Sequence, residues 1–172
     1  MTTHGEGWFL EAPGKPLVKR ELAIDEPKPG EAIVEVLACG LCHTDLAYAS
    51  GAVAPKHALP LVLGHEIVGK VIASGDGKKI GTMVIVPAVI PCGECAFCKI
   101  GRGNACTAQK MPGNDIDGGF STHVLVPSAQ LIAVSGAPDS LDLRNLSVVA
   151  DAVSTAQQAV RRSGLASGDV AM

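Results

Sequence analysis

Four cysteines, Cys92, Cys95, Cys98 and Cys106, stand at C-x2-C-x2-C-x7-C spacing inside one loop, with Gly93, Gly101 and Gly103 between them. Thiolates this close along the chain can wrap a single ion tetrahedrally, and a closed shell of four sulfurs favours zinc in a structural role. An iron–sulfur cluster is the rival metal reading. Four unrelated buried thiols are the bland one, and the spacing argues against it. The even total of six cysteines would also suit disulfides in an exported protein. Residues 1–15 are polar and Gly-rich, however, without the charged-then-apolar layout of an export signal, and no apolar run reaches bilayer-spanning length. The expectation is a soluble cytoplasmic protein whose thiols are free or metal-bound.

Composition narrows the fold. Hydrophobic residues make up 47% of the 172 positions but aromatics only 3%, so a core must be built from Val, Ile, Leu and Ala. Twenty glycines and eleven prolines suit short strands joined by turns better than a helix bundle. The net charge of −3 is spread over both signs with no basic run, which argues against a nucleic-acid partner; no membrane partner is expected either.

The chain reads as a succession of short strands. Residues 8–10 and 17–20 form a hairpin around Pro13-Gly14, and Pro27-Lys28-Pro29-Gly30 is a turn. Residues 31–38 follow as a strand, 43–49 as a helical turn, and 63–73 and 82–87 as strands separated by the Ser74-Gly75-Asp76-Gly77 turn. The cysteine loop runs over 91–119, and 120–126 and 130–134 close the set. Such spacing predicts a small, partly open β-barrel. The pattern changes after Pro138: Ser147 can cap a helix in which Val148, Val149, Ala152, Val153, Ala156, Ala159 and Val160 recur at helical spacing, with Arg161 and Arg162 in its last turn and Gly164 as its end. Residues 168–172 then read as a turn and the start of a strand. A lone strand after a helix has no neighbour to pair with, so the expectation is a domain over 1–147 and, over 148–172, a connecting helix and the beginning of a truncated nucleotide-binding domain.

Two further segments carry metal-ligand chemistry: Gly40-Leu41-Cys42-His43-Thr44-Asp45, and Gly64-His65-Glu66 before a strand. A lone cysteine is usually a buried small hydrophobe and a lone histidine a satisfied polar group. Their order relative to the cysteine loop, together with Leu59-Pro60-Leu61-Val62-Leu63-Gly64-His65-Glu66 and Asp117-Gly118-Gly119-Phe120-Ser121-Thr122-His123-Val124, closely resembles the zinc-dependent medium-chain alcohol dehydrogenases over nearly the whole chain. The resemblance implies a mainly β, GroES-like barrel followed by the first helix and strand of a Rossmann-type α/β domain. It implies a second, open zinc site bound by Cys42, His65 and Asp151, the last where many members carry cysteine. On its own, an aspartate inside a helix reads as a solvated charge; the family register and the apolar neighbours reverse that.

Thiolate, imidazole and carboxylate leave a zinc ion near neutral with its fourth position open, where an alcohol loses its proton more easily. By the same resemblance Thr44 accepts that proton, Asp45 and Glu66 orient the ligands, His43 contacts the pyrophosphate of NAD, and Thr155 approaches its nicotinamide. Without the resemblance, Thr44, Asp45 and Glu66 read as ordinary turn and strand-edge polarity. Two departures stand out. Ala47 replaces a histidine that in many members finishes the proton relay. No Gly-x-Gly-x-x-Gly occurs; the nearest run, Gly101-Arg102-Gly103, lies within the cysteine loop and puts Cys106 where the third glycine belongs. The expected activity is oxidation of a secondary alcohol to a ketone by a protein that forms a homo-oligomer when complete. The wording of residues 9–16 is similar to the branch of the family that oxidises a cyclic hydroxy-enoyl-CoA thioester; polyols and simple secondary alcohols are the alternative. Two rivals remain. A zinc-free quinone or enoyl reductase would not need Cys42, His65 and Asp151 together. A non-catalytic, zinc-stabilised binding module would need only the four-cysteine site.

Overall fold

The computed structural model describes residues 2–135 and 141–170. Strands β1 (Thr3–Leu10), β2 (Val18–Ile24) and β4 (Leu61–Val62) form a three-stranded antiparallel sheet in the order β2-β1-β4. Strands β3 (Glu31–Gly40), β5 (Glu66–Ser74), β6 (Met83–Val86), β7 (His123–Pro127) and β8 (Ile132–Ala133) form a five-stranded one in the order β7-β3-β5-β6-β8. Residues 120–122 stitch the sheets together: Trp8 N–H donates to the Phe120 carbonyl (2.8 Å), Thr122 N–H to Glu6 (2.8 Å), and Val36 N–H to the Thr122 carbonyl (2.9 Å). The result is the expected mainly β, partly open barrel. Its main core is β-branched and aliphatic, with Val34, Ile67, Val71, Val84, Val86 and Val124 among its buried members. That is how a chain with 3% aromatic residues fills its interior: small branched side chains interdigitate on pleated surfaces.

The hairpin around Pro13-Gly14 forms, with Phe9 paired to Val18, and α1 (His43–Ser50) is a full helix. The cysteine loop holds one short helix, α2 (Ala96–Lys99), and a 3-10 turn (Gly103–Ala105). Three expectations change. The strand expected over 63–73 is broken: Leu63, Gly64 and His65 lie between β4 and β5, because Gly64 takes a φ of +96°, which ends the pleat.

The helix expected to start after Ser147 is two elements, a 3-10 segment (Leu143–Ala150) and α3 (Ala152–Ser163). Ser147 lies buried within the first, which packs against β3, β5 and β6, and caps nothing. Asp142 caps that segment instead, accepting from Arg144 N–H at 3.1 Å. The break falls on Asp151, whose φ of −137° and ψ of −71° are not helical. α3 ends at Gly164 as expected and is exposed along its length, with Val153 at 48% and Val160 at 57%. Asp169 and Val170 form no strand; the rest of the expected strand, Ala171 and Met172, and the transition at Pro138 lie outside the described residues. Among the described residues no helix is long and apolar enough to cross a membrane.

Candidate metal centres

Pairing of β3 with β5 ends at Gly40 opposite Glu66. Cys42 comes two residues after that pair on one strand and His65 one residue before it on the other, so antiparallel geometry alone sets the two side by side. Asp45, in the first turn of α1, locks them. Its carboxylate is 1% exposed and accepts from Cys42 N–H at 2.9 Å and from Gly64 N–H at 3.0 Å. It also lies 3.4 Å from His65 Nδ1, a separation that brings no aligned hydrogen bond, since both ring nitrogens of the buried His65 lack a partner.

The peptide run into His65 is held from its other side. Asp117 accepts from Val62 N–H (2.9 Å), while Gly118, Gly119 and Phe120 donate to the carbonyls of Val62, Gly64 and Leu63 (2.8–2.9 Å). The Asp-Gly-Gly-Phe signature is thus a backbone splint for the histidine, a role its sequence did not disclose.

Asp151 completes the group. Its Oδ2 stands 3.4 Å from His65 Nε2 and 3.8 Å from Cys42 Sγ. Donors at zinc-bonding lengths around a tetrahedral ion would be separated by about 3.4 Å for nitrogen to oxygen and about 3.6 Å for sulfur to oxygen. The donor set fits an ion on spacing, and the orphaned Nε2 of a histidine 1% exposed fits it on chemistry, because a buried ring nitrogen without a partner is otherwise costly; Nδ1, on the far side of the ring, faces Asp45. Electrostatics agree. Burial favours the neutral ring, yet Asp45 and Cys42 outweigh it and raise the His65 pKa to about 9; so anionic a pocket calls for a cation.

The remaining predicted residues lie around this point. Thr44 Oγ1 is 3.6 Å from Cys42 Sγ. Glu66, 3% exposed, accepts from Ala152 N–H at 3.0 Å and so fastens the start of α3 to β5. His43 begins α1 and is exposed. Thr155 donates its hydroxyl to Asp151 Oδ1 at 2.6 Å, a bond that sequence reasoning missed; only the i, i+4 spacing of Asp and Thr hinted at it. Cys39, the cysteine left unassigned, is packed so tightly that a methyl on Gly64 would come within 2.7 Å of its sulfur, and burial pushes its thiol up to about 12. Asp151 and Thr155 also line a cleft of about 590 Å³ shared with Pro87, Ala88 and Val89.

The four loop cysteines converge independently. Sγ separations are 3.4 Å for Cys92–Cys106, 3.5 Å for Cys95–Cys98, 3.8 Å for Cys95–Cys106 and 4.0 Å for Cys92–Cys98. Sulfurs in a zinc tetrahedron stand about 3.8 Å apart, whereas a disulfide needs about 2.05 Å. Backbone N–H groups point at the sulfurs: Cys92 N–H at Cys106 (3.3 Å), Cys95 N–H at Cys92 and Ala108 N–H at Cys106 (both 3.4 Å). The backbone amides of Cys98 and Thr107 lower the Cys95 thiol to about 6, while desolvation and the neighbouring Cys95 sulfur push Cys98 up to about 12. Four thiols this close cannot all ionise without a cation among them. These two clusters are the groups of metal-binding side chains among the described residues.

Residues 28–136 match the family model described as the alcohol dehydrogenase GroES-like domain. An uncharacterised zinc-type alcohol dehydrogenase-like protein of Haemophilus influenzae is 37% identical over 164 residues, covering 93% of this chain and 46% of that protein. An NAD-dependent alcohol dehydrogenase of Sulfolobus acidocaldarius is 36% identical over 142 residues, covering 78% and 39%. The structure of acetophenone reductase from Geotrichum candidum in complex with NAD superposes with a TM-score of 0.83 at 30% identity, covering 94% of this chain and 48% of that one. The chain spans about half the length of the relatives it matches.

Proposed function

Since this chain belongs to the alcohol dehydrogenase family with a GroES-like domain, we propose that it carries the metal-binding, substrate-activating portion of an enzyme that oxidises a secondary alcohol to a ketone with NAD as hydride acceptor. The observation that carries the reading is the convergence of Cys42, His65 and Asp151 on one point, around a buried histidine Nε2 with no hydrogen-bond partner. A zinc ion held by these three would acidify an alcohol at its open position. Thr44, 3.6 Å from Cys42, then receives the alcohol proton through its hydroxyl. With Ala47 in place of a relay histidine, Thr44 would pass its own proton on to water or to a hydroxyl of bound NAD. Asp45 holds the Cys42 and His65 segments in register, and Glu66 holds the Asp151 segment. His43 and Thr155, both exposed, would contact NAD where the resemblance puts its pyrophosphate and nicotinamide. Cys92, Cys95, Cys98 and Cys106 would hold a second zinc whose four thiolates close its shell, a structural rather than catalytic role.

A ketone–alcohol couple is supported by the acetophenone reductase named above, a protein that also carries NAD. The cyclic hydroxy-enoyl-CoA thioester is a narrower proposal, supported by the wording of residues 9–16 alone. A substrate panel decides it: the thioester must be turned over far faster than simple alcohols or polyols, and equal rates remove it.

Metal analysis tests the main reading. The complete protein should hold two zinc ions per chain, and Asp151→Asn, which keeps an oxygen but loses the charge, should retain the four-thiolate ion, bind the other more weakly and turn over far more slowly. One zinc per chain in the unaltered protein would favour a binding module instead, and full occupancy with normal turnover in Asp151→Asn would remove that residue from the ligand set.

A further inference from the structure

An aspartate at the N-cap of a helix ordinarily turns its carboxylate back onto the free N–H groups of its own first turn. Asp151 occupies that position before α3 and makes no such bond. The first N–H of the helix, that of Ala152, is held by Glu66 from the start of β5, at 3.0 Å. Neither oxygen of the Asp151 carboxylate caps a backbone N–H of the helix, and the two have different surroundings. Oδ1 accepts the Thr155 hydroxyl at 2.6 Å. Oδ2 lies 3.4 Å from His65 Nε2 and 3.8 Å from Cys42 Sγ. Thr155 sits one helical turn on, and its backbone N–H also bonds the Asp151 carbonyl, at 2.8 Å, so side chain and main chain of one residue grip the same aspartate.

We propose that Thr155 is a positioning residue that makes Asp151 a one-oxygen ligand. Building on the reading of Cys42, His65 and Asp151 as metal ligands, its hydroxyl occupies Oδ1 and leaves Oδ2 alone to face the ion. A carboxylate free to rotate can offer both oxygens. The second oxygen would then compete for the position that an alcohol must occupy, and three protein donors would become four. A threonine four residues after the aspartate prevents this from within the same helix, and the spare lone pair is satisfied rather than left unpaired. The position where a thiolate ligand would need no such control is here filled by a group that does.

The test uses the complete protein, unaltered and as Thr155→Val and Thr155→Ser. Valine keeps the branched shape and removes the donor; serine keeps the donor. Zinc per chain is counted, affinity at the three-ligand site is read by chelator competition, and the visible spectrum of Co²⁺ placed there reports coordination number. Thr155→Val should bind zinc about 10–100-fold more weakly, the usual cost of losing a partner of a metal ligand, and its Co²⁺ bands should weaken as coordination rises above four. Thr155→Ser should restore both, and the four-thiolate ion should be untouched throughout. Unchanged affinity and spectrum in Thr155→Val, or a serine variant that behaves like valine, overturns the assignment. One metal per chain in the unaltered protein would overturn the ligand reading itself, whereas two metals with an indifferent valine variant would refute the role of Thr155 alone.

Discussion

Gly64→Ala places a single methyl group in the crowded turn immediately before His65. Two costs add there. The backbone φ of +96° lies outside the range that residues with a Cβ readily adopt, a cost of about 1–2 kcal/mol. The new Cβ would also stand 2.7 Å from Cys39 Sγ and 2.7 Å from the Phe120 ring. Both are partly buried neighbours packed against the core, and overfilling such a site costs about 1–3 kcal/mol more. The expected loss is therefore about 2–5 kcal/mol.

Gly77→Ala separates the two contributions. Its φ is +70°, but nothing lies within 4 Å of its Cβ, so only the backbone cost of about 1–2 kcal/mol applies. The assay is urea unfolding of the complete zinc-loaded protein at fixed free zinc, followed by circular dichroism, with zinc retention measured alongside. Because the Gly64 N–H is a partner of Asp45, the displaced peptide should also loosen the three-ligand site while the four-thiolate ion stays. A Gly64→Ala loss below about 1 kcal/mol, or one no larger than that of Gly77→Ala, would refute the packing argument.

Three other outcomes follow from the geometry. Thr44→Ala should slow hydride transfer by about 10²–10⁴-fold, as expected for losing an acid–base group, and Thr44→Ser should be mild; single-turnover NADH formation measures both. Cys95→Ser should release the loop ion, leaving a single zinc per chain and fast limited proteolysis within residues 91–106, while the fold of the barrel persists in circular dichroism. Stripped of metal, the protein should lose stability as pH rises between the ordinary histidine value near 6.5 and the folded value of about 9 for His65. A raised folded pKa contributes stability that is complete below the unfolded value and gone above the folded one. Unfolding curves across that range check this, and Asp45→Asn, which removes the main group that raises the His65 pKa, should flatten the slope.

Much of this protein is written locally. The four loop cysteines lie within fifteen residues of one another, so their spacing alone brings the sulfurs together, and the ion they suit can be named before any fold is known. Strands β3, β5 and β6 are likewise local: β-branched residues between turns specify them, and the paucity of aromatics specifies the kind of core. The three-ligand centre is different. Cys42 and Asp151 are 109 residues apart, no periodicity links them, and judged on its own Asp151 looked like a solvated charge; only likeness to a family pointed to it.

The tertiary structure alone decided how that carboxylate is aimed. A continuous helix from 148 suits the apolar pattern, because helical spacing records which face is apolar and not where a backbone must break. The break falls at Asp151, where the non-helical backbone is followed by an Ala152 N–H held by Glu66, a residue brought there by the pairing of β3 with β5. Hydrogen bonds between residues distant in sequence leave no trace in local propensity, so the Glu66 contact that anchors the start of α3, and the backbone splint that residues 117–120 apply to His65, become visible only once the chain has folded back on itself.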